Sequence, residues 1–254
     1  MKRNYSLFRI AFVSAIGFAF LLPGSARAQM PPDVRGHYRG FSQSSGNPDN
    51  RGPAELNIIS QTPDGEFQGS ITILGNTHSI HGEVDPHSIA WVSGSGGIRS
   101  IRGEGQWQDL TRGGALILAS YRLRSGDHGE VALVQNFTQP PEPEMPPYIA
   151  GSWPGTFQNI LSLMRGTVEW TVQQDRMPTG APSTGFMGQE TIDTSMNDFV
   201  GTIDGGGNFV RIGVSAQGFL IGAGKVESGE LTGTTVENYN TFHPTIHYAV
   251  QVGR

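Results

Sequence analysis

The sequence predicts an all-β protein made of two tandem eight-stranded antiparallel up-and-down β-barrels. Three observations predict it: the chain repeats itself, its apolar residues alternate with a period of two, and turn residues recur at short intervals. The repeat covers residues 34–137 and again residues 149–252. A long internal repeat defines the architecture before any single residue is interpreted.

The N-terminal residues have the pattern of an export signal. Lys2, Arg3 and Arg9 flank an apolar run over residues 10–22, and Ala26-Arg27-Ala28 is a small-x-small cleavage site. This pattern predicts a signal peptide over residues 1–28 and a periplasmic or extracellular location. An uncleaved anchor is the alternative, although the apolar run is shorter than an ordinary membrane span.

The remaining chain divides at a proline-rich segment. Residues 139–147 contain Pro140, Pro141, Pro143, Pro146 and Pro147. Proline at this density favours an extended, semi-rigid spacer. We therefore expect a first barrel over residues 32–138, a linker over residues 139–147 and a second barrel over residues 148–254.

The strands follow from alternation and turns. In the first repeat we expect them at residues 34–42, 54–61, 66–74, 77–84, 88–93, 98–107, 115–124 and 128–138. The second repeat gives eight at matching places, the last at 243–252. In the second repeat Val168, Trp170 and Val172 alternate with polar residues, which is typical of a half-buried strand. Asp-Gly and Gly-Gly turns between the runs indicate hairpins. Only residues 158–164 are ambiguous.

Consecutive short hairpins leave two common solutions, a closed barrel and a two-sheet sandwich. Short connections throughout favour the barrel, which has no edge strands. An eight-stranded barrel has an interior that side chains fill or that holds one small ligand. Glycines recur within the strands, and we expect them at tight bends or bulges.

Each repeat resembles a known group of small barrels. Gly36 and Tyr38, or Gly151 and Trp153, form a Gly-x-aromatic pattern on the first strand, and Asp64-Gly65-Glu66-Phe67-Gln68-Gly69 forms a hairpin region. These features resemble the avidin-like and lipocalin-like (calycin) barrels. The resemblance implies the fold. It does not imply the ligand, because the later tryptophans of the avidin-like biotin pocket and the conserved lipocalin motif before the last strands are not recognisable.

Composition and motifs exclude several classes of function. The chain has no cysteine and a formal net charge of −5, so we expect neither disulfides nor thiolate chemistry, and no nucleic-acid partner. It has no nucleophile elbow, phosphate loop, dinucleotide fingerprint or calcium loop. We therefore predict no catalytic residue and no cofactor.

The histidines do not predict a metal site. His78 and His81 are three apart, so on one strand they point to opposite faces. His243 and His247 share a face, but on a strand their Cα atoms are about 13 Å apart. His78 lies on the inward face of its strand, where it is either a hydrogen-bonded core residue or a ligand contact.

Comparison of the two halves indicates which residues are specialised. Trp91 and Trp107 align with Val210 and Val226, and Tyr121 aligns with Glu237. If Glu237 faces the interior, burial raises its pKa and makes it a candidate acid or base; if it faces outward, it is an ordinary surface residue. The candidate ligand-binding residues are Tyr38, His78, Trp91, Trp107, Tyr121, Trp153, Trp170, Glu237 and Tyr239.

These observations favour an exported, non-enzymatic binding protein for a small apolar or amphipathic ligand. The alternatives are a barrel enzyme of the cyclase or isomerase type and a structural or interaction protein of the cell envelope. A small molecule is the expected partner, with no membrane span after signal cleavage, and the oligomeric state is left open. We expect one or two different sites in unlike barrels, not the same site twice.

Overall fold

The structure is a computed structural model, and it describes residues 30–93, 100–110, 114–136, 145–159, 163–192, 194–215, 218–237 and 245–251. Only the backbone is described for residue 159 and for residues 234–237 and 245–251. Both barrels belong to one compact unit, Pro31–Arg254.

Barrel 1 contains the first eight strands. They are β1 (Gly36–Ser44), β2 (Arg51–Gln61), β3 (Glu66–Ile73), β4 (Asn76–Val84), β5 (Ser88–Ser93), β6 (Ile101–Leu110), β7 (Gly114–Leu123) and β8 (His128–Gln135).

Barrel 2 contains the other eight. They are β9 (Gly151–Asn159), β10 (Arg165–Arg176), β11 (Pro182–Ile192), β12 (Ser195–Ile203), β13 (Asn208–Ser215), β14 (Gly218–Glu227), β15 (Glu230–Glu237) and β16 (Thr245–Gln251).

Each barrel is an antiparallel meander closed by pairing of its first and last strands, β1 with β8 and β9 with β16. The predicted fold class is therefore confirmed, and the sandwich alternative is wrong. We call the end of each barrel with the β1–β2 or β9–β10 connection its upper end. The opposite end is its lower end.

Alternation places one face of each strand inside its barrel. The inward residues of β7, from Ala115 to Tyr121, belong to the barrel 1 core. Several strand glycines make room for aromatic rings, since a side chain at Gly103 would collide with the Trp91 ring and one at Gly129 with the Tyr121 ring. These two glycines accommodate core aromatics, whereas the sequence had indicated bends or bulges.

A short segment before β1 closes the lower end of barrel 1. Gln61 accepts a hydrogen bond from the backbone N–H of Val34 at 2.8 Å and donates one to the carbonyl of Pro32 at 2.7 Å. The Tyr38 hydroxyl donates to the carbonyl of Val34 at 2.9 Å. We call this segment, residues 31–34, the plug of barrel 1.

Barrel 2 has a plug of the same design, residues 146–149. Gln174 accepts from the N–H of Ile149 at 2.8 Å and donates to the carbonyl of Pro147 at 3.1 Å. The Trp153 indole donates to the carbonyl of Ile149 at 2.6 Å. Tyr38 and Trp153 therefore have equivalent places and bonds, which are part of the shared scaffold.

The two barrels pack against each other through a third apolar core. Its buried residues are Phe41, Leu116, Ala132, Val134, Ile212, Val214 and Phe219. They lie on the outward faces of β1, β7 and β8 of barrel 1 and of β13 and β14 of barrel 2. Strands β8 and β13 are consequently buried on both faces, which is why they lack polar alternation.

Polar contacts fix this interface at its sides. Arg39 of β1 forms an ion pair with Asp175 of β10 at 2.5 Å. The side-chain amide of Gln43 donates to the carbonyl of Ser215 at 3.3 Å. The barrels use non-equivalent strands, because β13 corresponds to β5 in the repeat. The arrangement is therefore heterologous and not a two-fold.

Candidate functional site

The strand pairings show which residues of the two halves are equivalent. Trp91 pairs with Gly82 and Gly103 in barrel 1, and Arg211 pairs with Gly201 and Gly222 in barrel 2. The turn before β13 is one residue longer than the turn before β5. Trp91 is therefore equivalent to Arg211, and its sequence alignment with Val210 is wrong by one position.

A buried ion pair lies inside barrel 2. Arg211 and Glu190, whose side chains are 1% and 2% exposed, are 2.5 Å apart. The Trp170 indole N–H donates to the same carboxylate oxygen, Oε2, at 2.7 Å. The guanidinium also stacks on aromatic faces, 4.3 Å from the Trp170 ring centroid and 5.3 Å from that of Phe199. Charge pairing and cation–π contacts each offset part of the free energy that the two ions lose when they leave water.

Barrel 1 has apolar side chains at the same places. The cross-strand pair Leu56 and Ile71 of barrel 1 is equivalent in position to the pair Trp170 and Glu190 of barrel 2. With Trp91 they give an apolar trio, all three fully buried. The two interiors therefore differ in chemistry although the strands around them correspond.

The upper end of barrel 1 carries a connected polar group on β4, β5 and the start of β6. The Nδ1 atom of His78 lies 2.9 Å from the Ser100 hydroxyl, which lies 2.6 Å from the Ser93 hydroxyl. Ser93 also accepts from the backbone N–H groups of Ser100 and Ile101, both at 2.9 Å. Burial lowers the pKa of His78 below its ordinary value, because a charged ring is disfavoured there.

Four buried polar side-chain atoms of barrel 1 have no hydrogen-bond partner among the described residues. They are Nε2 of His78, Nε1 of Trp91, Nε1 of Trp107 and the hydroxyl of Tyr121. Trp91 and Tyr121 are 1% and 3% exposed. Burial, with a smaller contribution from the charge of Asp127, raises the pKa of Tyr121 to about 12. An unmade hydrogen bond at a buried polar group costs about 1–3 kcal/mol.

The structure places most predicted site residues in two separate cores. Tyr38, Trp91, Trp107 and Tyr121 lie in the barrel 1 core, and His78 lies half-buried above it. Trp153 and Trp170 lie in the barrel 2 core. The side chain of Glu237 and the whole of Tyr239 lie outside the described part of the structure.

Sequence reasoning missed Glu190, Arg211, Ser93 and Ser100. A signal existed for Arg211, because it alternates with Phe209 and Gly213 on the inward face of an otherwise apolar run. Glu190 follows Phe186 and Gly188 at intervals of two residues on β11, so the same alternation places it on the inward face. Ser93 and Ser100 become neighbours only through the closing of β5 on β6, which no local pattern reveals.

Within the described ranges, no group of three or more histidine, aspartate or glutamate residues could hold a metal ion. The described residues also contain no helix long and apolar enough to cross a membrane.

Comparison with known proteins finds similar solved structures at low identity. A protein of unknown function from the DUF3598 family of Nostoc punctiforme is 14% identical, with 87% of this chain and 96% of that chain covered and a TM-score of 0.30. A candidate outer membrane protein from Bacteroides fragilis is 10% identical, with 87% and 98% covered and a TM-score of 0.28. No family model and no curated protein matches the chain. TM-scores this low carry no argument about the function of this β-barrel protein.

Proposed function

We propose that this chain is an exported binding protein that holds one small amphipathic ligand in the upper half of barrel 1. Four buried polar atoms of barrel 1 lack partners among the described residues, and the observation that carries the proposal is that three of them, on His78, Trp91 and Tyr121, lie in its upper half. Buried polar groups in native proteins are nearly always hydrogen-bonded, so each exception indicates a missing partner.

The polarity of barrel 1 supports the same site. The plug and the Tyr38 hydroxyl bond close the lower end. Serine hydroxyls gather at the upper end, where Ser44 donates to Asp127 at 2.7 Å and Ser93 contacts Ser100. An amphipathic ligand fits this gradient with its polar group toward the upper end and its apolar part toward the core.

Two sequence features support the remaining parts of the proposal. The signal-peptide pattern over residues 1–28 supports export. The eight-stranded barrel is compatible with ligand binding, because a barrel of this size is either filled by its own side chains or holds one small ligand.

The test is native mass spectrometry of the purified protein, with three variants. We expect a co-purified small molecule in the wild type and its loss in Tyr121→Phe, which removes one hydroxyl, and in Trp91→Phe, which replaces the indole by a smaller ring without an N–H. Trp153→Phe is the matched control, because that indole is already bonded to the plug. Retention of the ligand in both barrel 1 variants contradicts the proposed site.

A structural or interaction protein of the cell envelope is the second candidate. The observation that favours it is the size of the side chains that occupy barrel 1, since Trp91, Tyr38 and Phe67 are among the largest fully buried residues. A ligand-free mass together with a barrel 1 interior filled by these side chains supports this second function.

A further inference from the structure

Ser93 and Ser100 lie beside His78, and the hydrogen bonds around them determine where their hydroxyl protons point. Ser93 Oγ accepts two backbone N–H groups, those of Ser100 and Ile101. A serine oxygen has two acceptor lone pairs and one proton. Both lone pairs are therefore used, and the Ser93 proton is donated to its remaining neighbour, Ser100 Oγ, at 2.6 Å.

The tautomer of His78 follows from the same assignment of donors and acceptors. Ser100 accepts from Ser93, so its own proton is free to be donated to Nδ1 of His78 at 2.9 Å. Nδ1 is then an acceptor and the ring proton is on Nε2. The opposite tautomer leaves two groups without partners among the described residues, the Ser100 proton and a bare Nε2. The assigned tautomer leaves only the Nε2–H.

We propose that the Nε2–H of His78 donates a hydrogen bond to an uncharged acceptor oxygen of the ligand: a ketone, ester, amide or ether oxygen. This inference rests on the proposed function and names the ligand class for that site. Trp91 supports it independently, because its unpartnered indole nitrogen is also a donor and cannot accept.

Among the described side chains that the ligand would contact, those of His78, Trp91 and Tyr121, none is a cation, and this disfavours a carboxylate as the ligand group. Burial lowers the pKa of His78, which favours its neutral ring, and the side chains of Trp91 and Tyr121 carry no positive charge. An anion that leaves water for such a site loses several kcal/mol of hydration without a positive partner. The acceptor oxygen therefore belongs to a neutral group.

The first test measures the tautomer directly. Two-bond and three-bond 1H–15N correlation spectra of the uniformly labelled protein distinguish a protonated Nε2 from a protonated Nδ1. We expect the His78 signals of the Nε2–H tautomer near neutral pH. An Nδ1–H tautomer overturns the inference whether or not a ligand is found.

The second test uses two probes of similar shape, 2-acetylnaphthalene and 2-ethylnaphthalene, in calorimetric titrations. We expect the ketone to bind about 10-fold more tightly, as one hydrogen bond of about 1.4 kcal/mol requires. His78→Phe should remove the preference. His81→Phe, on the exposed side of the same strand, should keep it.

The outcomes separate the two proposals. Equal affinities of the wild type for both probes overturn the inference and leave the binding function standing. Binding of neither probe, with an empty mass spectrum, overturns the proposed function and the inference together. A ketone preference that survives His78→Phe also overturns the inference.

Discussion

The two barrels have opposite chemistry at three equivalent interior places. Barrel 1 has Leu56, Ile71 and Trp91, and barrel 2 has Trp170, Glu190 and Arg211. The plugs and the closure of the strands are nevertheless the same in both. The shared features therefore build the scaffold, and the interior of each barrel varies separately from it.

The two barrels also differ in the hydrogen bonding of their buried polar atoms. In barrel 2 the Arg211 guanidinium and the Trp170 indole both bond to one carboxylate oxygen of Glu190. In barrel 1 the polar atoms of Trp91 and Tyr121 face an apolar core without partners among the described residues. Glu190 Oε1 of barrel 2 also lacks a partner among the described residues, but it belongs to a carboxylate whose other oxygen is already paired with a cation. We place the ligand in barrel 1 because its unpartnered atoms belong to neutral side chains with no such pairing.

The largest expected effect comes from breaking the ion pair of barrel 2. Arg211→Met leaves the Glu190 carboxylate buried without its cation, and we expect a loss of about 3–5 kcal/mol in the free energy of unfolding. The measurement is urea denaturation followed by circular dichroism.

A triple variant tests whether the interior side chains of the two barrels are interchangeable. Trp170→Leu, Glu190→Ile and Arg211→Trp together give barrel 2 the trio of barrel 1, and we expect most of the lost stability to return, because well-packed apolar residues can replace a buried ion pair. A triple variant no more stable than Arg211→Met shows that the two interiors are not interchangeable.

The second prediction compares equivalent outward positions. Ile212 is fully buried between the barrels, whereas its equivalent Val92 is only half-buried on the outside of barrel 1. We expect Ile212→Ala to cost about 2–4 kcal/mol of unfolding free energy and Val92→Ala to cost about 1 kcal/mol or less. Equal costs in denaturant titrations argue against an apolar core between the barrels.

The third prediction concerns the plugs. Gln61→Ala and Gln174→Ala each remove the hydrogen bonds that hold a plug, and we expect each to cost about 1–2 kcal/mol. Hydrogen exchange of the Val34 and Ile149 amides should increase in the corresponding variant only. Unchanged exchange at the plug of the altered barrel contradicts the role given to these glutamines.

The smallest effect is a pH dependence specific to barrel 1. The pKa of His78 is lowered in the folded state by burial, so the unfolded chain takes up a proton below about pH 6.5 that the folded protein resists. Stability should fall as pH decreases through this window, by no more than about 1.4 kcal/mol per pH unit from this group.

A variant taken from the other half checks this pH effect. His78→Asn introduces the residue that barrel 2 has at the equivalent position, Asn197. This variant should lose less unfolding free energy than the wild type between pH 6.5 and pH 5. His81→Asn, an exposed neighbour, should leave the decline unchanged. If the wild type and His78→Asn lose the same unfolding free energy as the pH falls, His78 is not the cause of the pH dependence.

Much of the fold was predictable because its signals are local. Alternation and turn residues located the strands closely, as for the predicted strand at residues 88–93 and the observed β5 (Ser88–Ser93). The inward placement of Trp170 follows from the same period of two, and the candidate residues Trp91 and Tyr121 also lie in a barrel core.

The remaining features depend on long-range geometry. One extra residue in the turn before β13 changes which side chain faces inward, so the equivalence of Trp91 and Arg211 appears only in the pairings. The packing of the barrels depends on outward faces, although the continuous apolar run in β8 signalled a strand buried on both sides. The contact between His78 and Ser100 required the closed barrel.

The most direct test of the account is a high-resolution crystal structure of the protein as purified, without added ligand. We predict electron density for a bound molecule within hydrogen-bond distance of His78 Nε2, Trp91 Nε1 and the Tyr121 hydroxyl. We predict none inside barrel 2 beside the Glu190–Arg211 pair. A barrel 1 interior filled only by its own side chains, or a ligand found in barrel 2 instead, contradicts the account.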